Sequence, residues 1–207
     1  MIKKLNKIRP ISHKRYSSKR IAVTILFIVL FGVSMGVLAK YTDSISIIGQ
    51  IGTQLGVWVF IATLIAVFSR SAKAACLHVF IFFIAMLAAY YAYTVIVFEF
   101  VPPKYMLVWG FFALLSPLCA YVVWYARGEG WISAVCLSLP ISLLISSGYS
   151  FFYTFNILQG ADLVFAVLLF LIAPKDNKCR LRSLPVTAVI TILIIKLEII
   201  SRIFGGL

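Results

Sequence analysis

From Ala74 to Phe98 the chain runs for 25 residues without an Asp, Glu, Lys or Arg. As a helix rising 1.5 Å per residue, such a stretch is about 37 Å long, enough to cross a hydrocarbon core about 30 Å thick with some tilt. Shorter apolar runs stand at 21–39, 54–68 and 105–126, and others start at Trp131, end at Ala173 before Pro174, and begin at Leu184. They are unbroken rather than alternating in and out, which selects helices over a β-barrel.

The rest of the composition agrees. With 63% hydrophobic and 12% charged residues, there is too little polar surface to coat a soluble globule. The expectation is an all-α polytopic transmembrane bundle of about seven helices, the last running to about Phe204. Residues 1–20 stand apart as a basic cytoplasmic tail, and 21–207 form one transmembrane helical domain. Val37-Leu38-Ala39 resembles a weak cleavage site, but the apolar run before it is longer than the roughly 7–15 residues of a signal peptide, so the first helix is read as retained.

The formal charge of +13 is placed at segment ends. Eight Lys/Arg lie in the first 20 residues, followed by Arg70, Lys73, Arg127, Lys175, Lys178, Arg180 and Arg182 on the same side, against Lys40 and Lys104 on the other. The positive-inside rule then puts the amino terminus in the cytoplasm and the carboxyl terminus outside. The partner of the tail is an anionic headgroup layer, not nucleic acid, and the tail is expected to be mobile on the membrane surface. Cys76, Cys119, Cys136 and Cys179 form no CxxC and read as free thiols.

Pro117 and Pro140 flank the turn Arg127-Gly128-Glu129-Gly130 symmetrically, which puts both about 15 Å deep, near the midplane. Each frees a carbonyl that a neighbour must satisfy, with Ser116, Ser138 and Ser142 at hand. Paired breaks of this kind build substrate sites in some transporters and are plain structural kinks in other membrane helices. Trp124 and Trp131 read as interfacial anchors beside the turn. Gly32/Gly36 and Gly52/Gly56 are GxxxG spacings suited to close helix packing inside the bundle. Tyr90, Tyr91 and Tyr93 gather in the outer half of the third helix, as an interfacial belt or as a cavity wall.

Intramembrane ionisable groups are the sharpest functional pointers. Asp162 and Lys196 each fall about 17 Å from the cytoplasmic face if their helices are adjacent and antiparallel, so they are candidates for a midplane pair. If Gly160 opens the sixth helix instead, Asp162 is interfacial and Lys196 snorkels outward. An early start of that helix would also align Asn156, Gln159 and Asp162 in a polar stripe. Glu198 and Arg202 are spaced to pair near the outer interface. His78 is the one histidine inside a predicted helix and is most simply hydrogen-bonded there. Asp43 and Glu99 read as exterior. There is no HExxH, P-loop or GxSxG motif, so neither an enzyme nor a bound cofactor or metal is expected.

The runs Leu55–Tyr93 and Trp109–Trp131 resemble a family of small multi-pass membrane proteins of Gram-positive bacteria, a domain of unknown function. The resemblance implies a bacterial plasma-membrane location and supplies no site residues. The expected function is a small-solute permease or the substrate-binding subunit of a transporter, with other transporter or membrane-protein subunits as partners. The alternative is a non-transporting interaction protein, such as an immunity, assembly or regulatory subunit.

Overall fold

In the computed structural model, described over residues 8–10, 17–43, 45, 48–99 and 103–199, the described residues contain helices and no strand. In chain order they are α1 Ser18–Thr42, α2 Ile48–Thr53, α3 Leu55–Phe68, α4 Ala72–Phe98, α5 Pro103–Trp124, α6 Gly130–Gly148, α7 Phe151–Thr154, α8 Ile157–Ile172 and α9 Asn177–Lys196. A 3-10 turn, Tyr125–Arg127, follows α5. Four stretches are long and apolar enough to cross a membrane: α1, α4, α5 with its turn, and α6 continued through α7. The chain is thus an all-helical protein built for a membrane. α3 and α8 are apolar but shorter. The seven long helices expected from the sequence correspond to α1, α3, α4, α5, α6, α8 and α9.

The bundle is organised around α6, of whose 19 residues 11 are buried. It packs against α9 on one side and α8 on another, with α3 and α5 also touching it. The α6–α9 seam is polar: Ser138 Oγ lies 3.1 Å from the Ser183 carbonyl and Ser142 Oγ 3.2 Å from that of Thr187. Hydroxyls that bond across a seam hold helices together where apolar side chains gain nothing over lipid. Pro117 and Pro140 both lie inside continuous helices. Pro117 cannot donate to the Ala113 carbonyl, and the Ser116 hydroxyl does so instead at 2.8 Å.

α1 packs chiefly on α4. A Cβ at Gly32 would run into the Phe82 carbonyl and Ala85, and one at Gly36 into the Met86 carbonyl and Ala89, so this GxxxG serves packing within the bundle. The second GxxxG is not a helical motif. α2 ends at Thr53 and α3 begins at Leu55, with Gln54 extended between them, so Gly52 and Gly56 sit on different helices.

Other expectations need correction. The tail is not wholly a surface arm: Ile8 and Arg9 are docked in the basic end of the bundle, although 1–7 and 11–16 lie outside the described residues. The basic stretch 175–183 is not a loop, because Asp176 Oδ1 accepts from the Cys179 amide at 2.8 Å and starts α9 at Asn177. The helix therefore ends at Lys196 rather than near Phe204, and Arg202 of the expected Glu198 pair lies outside the described residues, as do 200–207. Trp124 is not an interfacial anchor. It is 1% exposed, and its indole N–H donates to the Ser69 carbonyl at 2.7 Å, whereas Trp131 is exposed. Asp43 is half-buried. All four cysteines are free thiols.

Candidate functional site

Two helices of the bundle are interrupted at the end away from Arg70 and Arg127. α2 gives way to α3 at the extended Gln54, and α7 to α8 at Phe155 and Asn156, with Phe155 in the left-handed region at φ 49°. Asn156 Oδ1 accepts from the Leu158 amide at 2.9 Å, which opens α8 there. α3 and α8 are each too short to span a bilayer alone, and each is preceded by a short helix and a break. Discontinuous helices of this sort place free backbone groups around a cavity.

Asp162 lies at this junction. It is five residues into α8, only 2% exposed, and its Oδ2 accepts from the Ser147 hydroxyl at 2.6 Å. The other oxygen, Oδ1, is buried without a hydrogen-bond partner. The carboxylate presses on Gly56, in the first turn of α3, where a Cβ would overlap it. The positive end of the α3 dipole thus faces the acid, which favours negative charge there. Beside this contact lies a cavity of about 220 Å³ bordered by Gln54, Gly56, Val59, Leu144 and Ser147, and Asp162 sits behind its wall. Ser147 belongs to both the cavity wall and the Asp162 hydrogen bond, so it connects the two. Close approach of α6 and α8 depends on Gly148, where a Cβ would strike the Gln159 carbonyl and Leu163.

The predicted Asp162/Lys196 pair does not form. α8 and α9 pack on different sides of α6, and Lys196 is exposed at the last turn of α9. The start of α9 at Asn177 moved Lys196 to the far end of a 20-residue helix. The polar stripe also dissolves. Asn156 is an exposed cap, Gln159 Oε1 accepts from the Thr154 hydroxyl at 2.6 Å, and of the three only Asp162 faces the core.

Tyr90 belongs to a clamp between α1 and α4. Its hydroxyl and the Lys40 ammonium both lie 2.9 Å from Asp43 Oδ2, and Lys40 also sits over the Tyr90 and Phe98 rings. Tyr91 packs edge-on against Tyr90, with ring centroids 5.3 Å apart. Tyr93 is half-buried beyond them. Neither these tyrosines nor Pro117 and Pro140 border the cavity beside Asp162.

At the basic end, His78 Nδ1 lies 2.9 Å from Ser69 Oγ, beside a cleft of about 320 Å³. On the other flank of Ser69 the tail is anchored. Arg9 donates to the Val67 carbonyl at 2.9 Å and to that of Trp124, and its guanidinium stacks 4.1 Å from the Trp124 ring centre. Burial, and next the charge of Arg127, lower its pKa to about 10, so it remains a cation at neutral pH. The Ile8 carbonyl accepts from the Glu129 amide at 2.8 Å, and Gly128 leaves room for Ile8. Sequence reasoning missed this anchor. Its one signal was an arginine between Ile8 and Pro10 in a tail otherwise opening on lysines.

Among the described residues, no three His, Cys, Asp or Glu side chains gather as metal ligands would. No family model, curated protein or solved structure matches this chain, so its function rests on the residues alone.

Proposed function

We propose that the protein is a small-solute permease, or the substrate-binding subunit of a transporter, in a bacterial plasma membrane. Its amino terminus and basic end face the cytoplasm, and the Asp162 cavity opens toward the exterior. The observation that carries this reading is Asp162 itself, a buried carboxylate with one unpartnered oxygen, set where two interrupted helices meet. An ionisable group in lipid without a counter-ion costs roughly 2.5–3.5 kcal/mol or more, which is hard to account for as packing alone. Of the site residues, Gln54 and Ser147 would orient a polar solute and Asp162 would supply charge through Ser147. With no nucleotide-binding motif in the chain, movement of a solute would draw on an ion gradient, passive flux or a partner ATPase.

One observation favours the second reading, a non-transporting interaction protein. The core holds large side chains with almost no exposure, among them Val67, Val79, Phe82 and Leu137, each at most 1% exposed. A permease must open a path through such a core; an immunity, assembly or regulatory subunit need not. The test is thermal stabilisation of the purified protein by a panel of amino acids, small amines, sugars and alkali-metal ions. A permease or binding subunit gives a stabilising compound whose effect is lost in Asp162→Asn. If no compound stabilises the protein, and none crosses liposomes containing it, the solute reading fails.

A further inference from the structure

The cleft at the basic end has a cause in the packing. α1 lies along α4 but makes little contact with α3, and the gap between α1 and α3 is left open over the last turn of α3. Its wall changes character with depth. Arg20 and Arg70 are exposed at the rim, Ser69 and Ile28 are buried at the floor, and Ile21 and Ile65 line it along the helices. Among the described residues, none that lines it is acidic.

The polar floor is also oriented. The Ser69 hydroxyl has one proton and donates it to the Ile65 carbonyl at 2.7 Å, so toward His78 it acts as acceptor and Nδ1 carries hydrogen. That leaves Nε2 of the neutral ring as an acceptor, so the imidazole offers an anion no donor. Two guanidinium groups at the rim match a phosphate, and isoleucines running inward from them match hydrocarbon. A free anion would use only the rim and leave the apolar wall uncovered.

We infer that the cleft between α1 and α3 is a binding slot for one anionic phospholipid, with its phosphate held by Arg20 and Arg70 and an acyl chain along Ile21, Ile28 and Ile65. This site is separate from the Asp162 cavity and does not depend on a transport role. It also differs from diffuse attraction of the tail to headgroups, because it has a fixed stoichiometry and an apolar half.

The full-length protein in mild detergent, titrated with short-chain phosphatidylglycerol, phosphatidylcholine or inorganic phosphate, tests this by native mass spectrometry. One phosphatidylglycerol should be retained in preference to phosphatidylcholine. At about fivefold per cationic side chain, the double variant Arg20→Gln/Arg70→Gln should bind it roughly 30-fold more weakly. Ile21→Trp fills the apolar half while leaving every charge in place, and it too should weaken binding. Lys104→Gln, at the other end of the bundle, should not. Equal retention of phosphatidylcholine, displacement of the lipid by equimolar inorganic phosphate, or full affinity in Ile21→Trp would each overturn the slot. Both arginines are exposed, so the double variant should unfold at the wild-type temperature; if it does not, Ile21→Trp decides alone.

Discussion

Arg9→Gln removes the guanidinium that ties the amino-terminal segment to the ends of α3 and α5. Two of its bonds, to the Val67 carbonyl at 2.9 Å and to the Trp124 carbonyl, are charge-assisted and worth about 1.5–3 kcal/mol each. The approach to the Ser69 carbonyl, at 3.4 Å, is too long to count. Stacking on Trp124 adds about 0.5–2 kcal/mol. Against these stand the burial of the cation and the like charge of Arg127, the two causes that lower its pKa. Glutamine keeps one amide donor, so the expected net loss is about 2–3 kcal/mol. At roughly 2–4 °C per kcal/mol for a chain of this size, Tm should fall by about 4–12 °C.

The assay is thermal unfolding in mild detergent, read with a dye that fluoresces on reacting with thiols. Cys136 and Cys179, at 7% and 2% exposure, report loss of the core. Arg9→Lys should fall between wild type and Arg9→Gln, because an ammonium cannot bridge both carbonyls as the planar fork does. Lys19→Gln, at an exposed position in the first turn of α1, is the control. A Tm for Arg9→Gln within about 1 °C of the control, or full stability of Arg9→Lys, would refute the anchor.

Two further outcomes follow from close approaches. Gly56→Ala puts a methyl on the Asp162 carboxylate and should destabilise by about 1–3 kcal/mol, while the same change in an Asp162→Ser background should cost less. A double-mutant coupling below about 0.5 kcal/mol would show that the two are not in contact. Gly36→Leu collides with the Met86 carbonyl, which is backbone and cannot swing aside, so α1 should separate from α4. Hydrogen exchange in α1 should then quicken by at least about tenfold while α6 stays protected, and unchanged exchange in α1 would sink that account.

The helices were legible because lipid allows little else: seven apolar runs became seven long helices within a few residues at most ends. The errors lie where a short polar signal overrode hydropathy. Asp176 capped a helix through Lys178, Arg180 and Arg182, which read as a loop because charge was taken to mean an exit from the membrane. That change of start displaced Lys196 and removed the pair with Asp162. The prolines attracted attention as midplane breaks, yet the breaks that matter are at Gln54 and at Phe155–Asn156, where no proline stands. Asp162 was legible as a rare acid in an apolar run. Its neighbours Gly56 and Ser147 were not, because contact between α3, α6 and α8 depends on tertiary packing that no local pattern encodes.

The two unexpected features, the Asp162 junction and the Arg9 anchor, share α3. Its 14 residues make it the shortest of the long helices, about 21 Å from end to end, and its dipole is exposed at both ends to groups of complementary charge. The carboxylate of Asp162 sits at the first turn, and the guanidinium of Arg9 bonds the Val67 carbonyl in the last. Charges so placed contribute about 0.3–1 kcal/mol each, and up to about 2 kcal/mol where partly buried. Between its ends, α3 is wedged laterally by α4, α5 and α8, so a disturbance at one end should not slide the helix. Asp162→Asn and Arg9→Gln should therefore destabilise additively, within about 0.5 kcal/mol, as sites well over 10 Å apart do. The thiol-dye melting curves of the two single variants and the double variant measure this directly. A coupling of 1 kcal/mol or more, by about the scale of neighbouring residues, would mean that α3 shifts as a rigid piston between the two ends. That result would refute the fixed wedge and make the Arg9 anchor a control element for the cavity at Asp162.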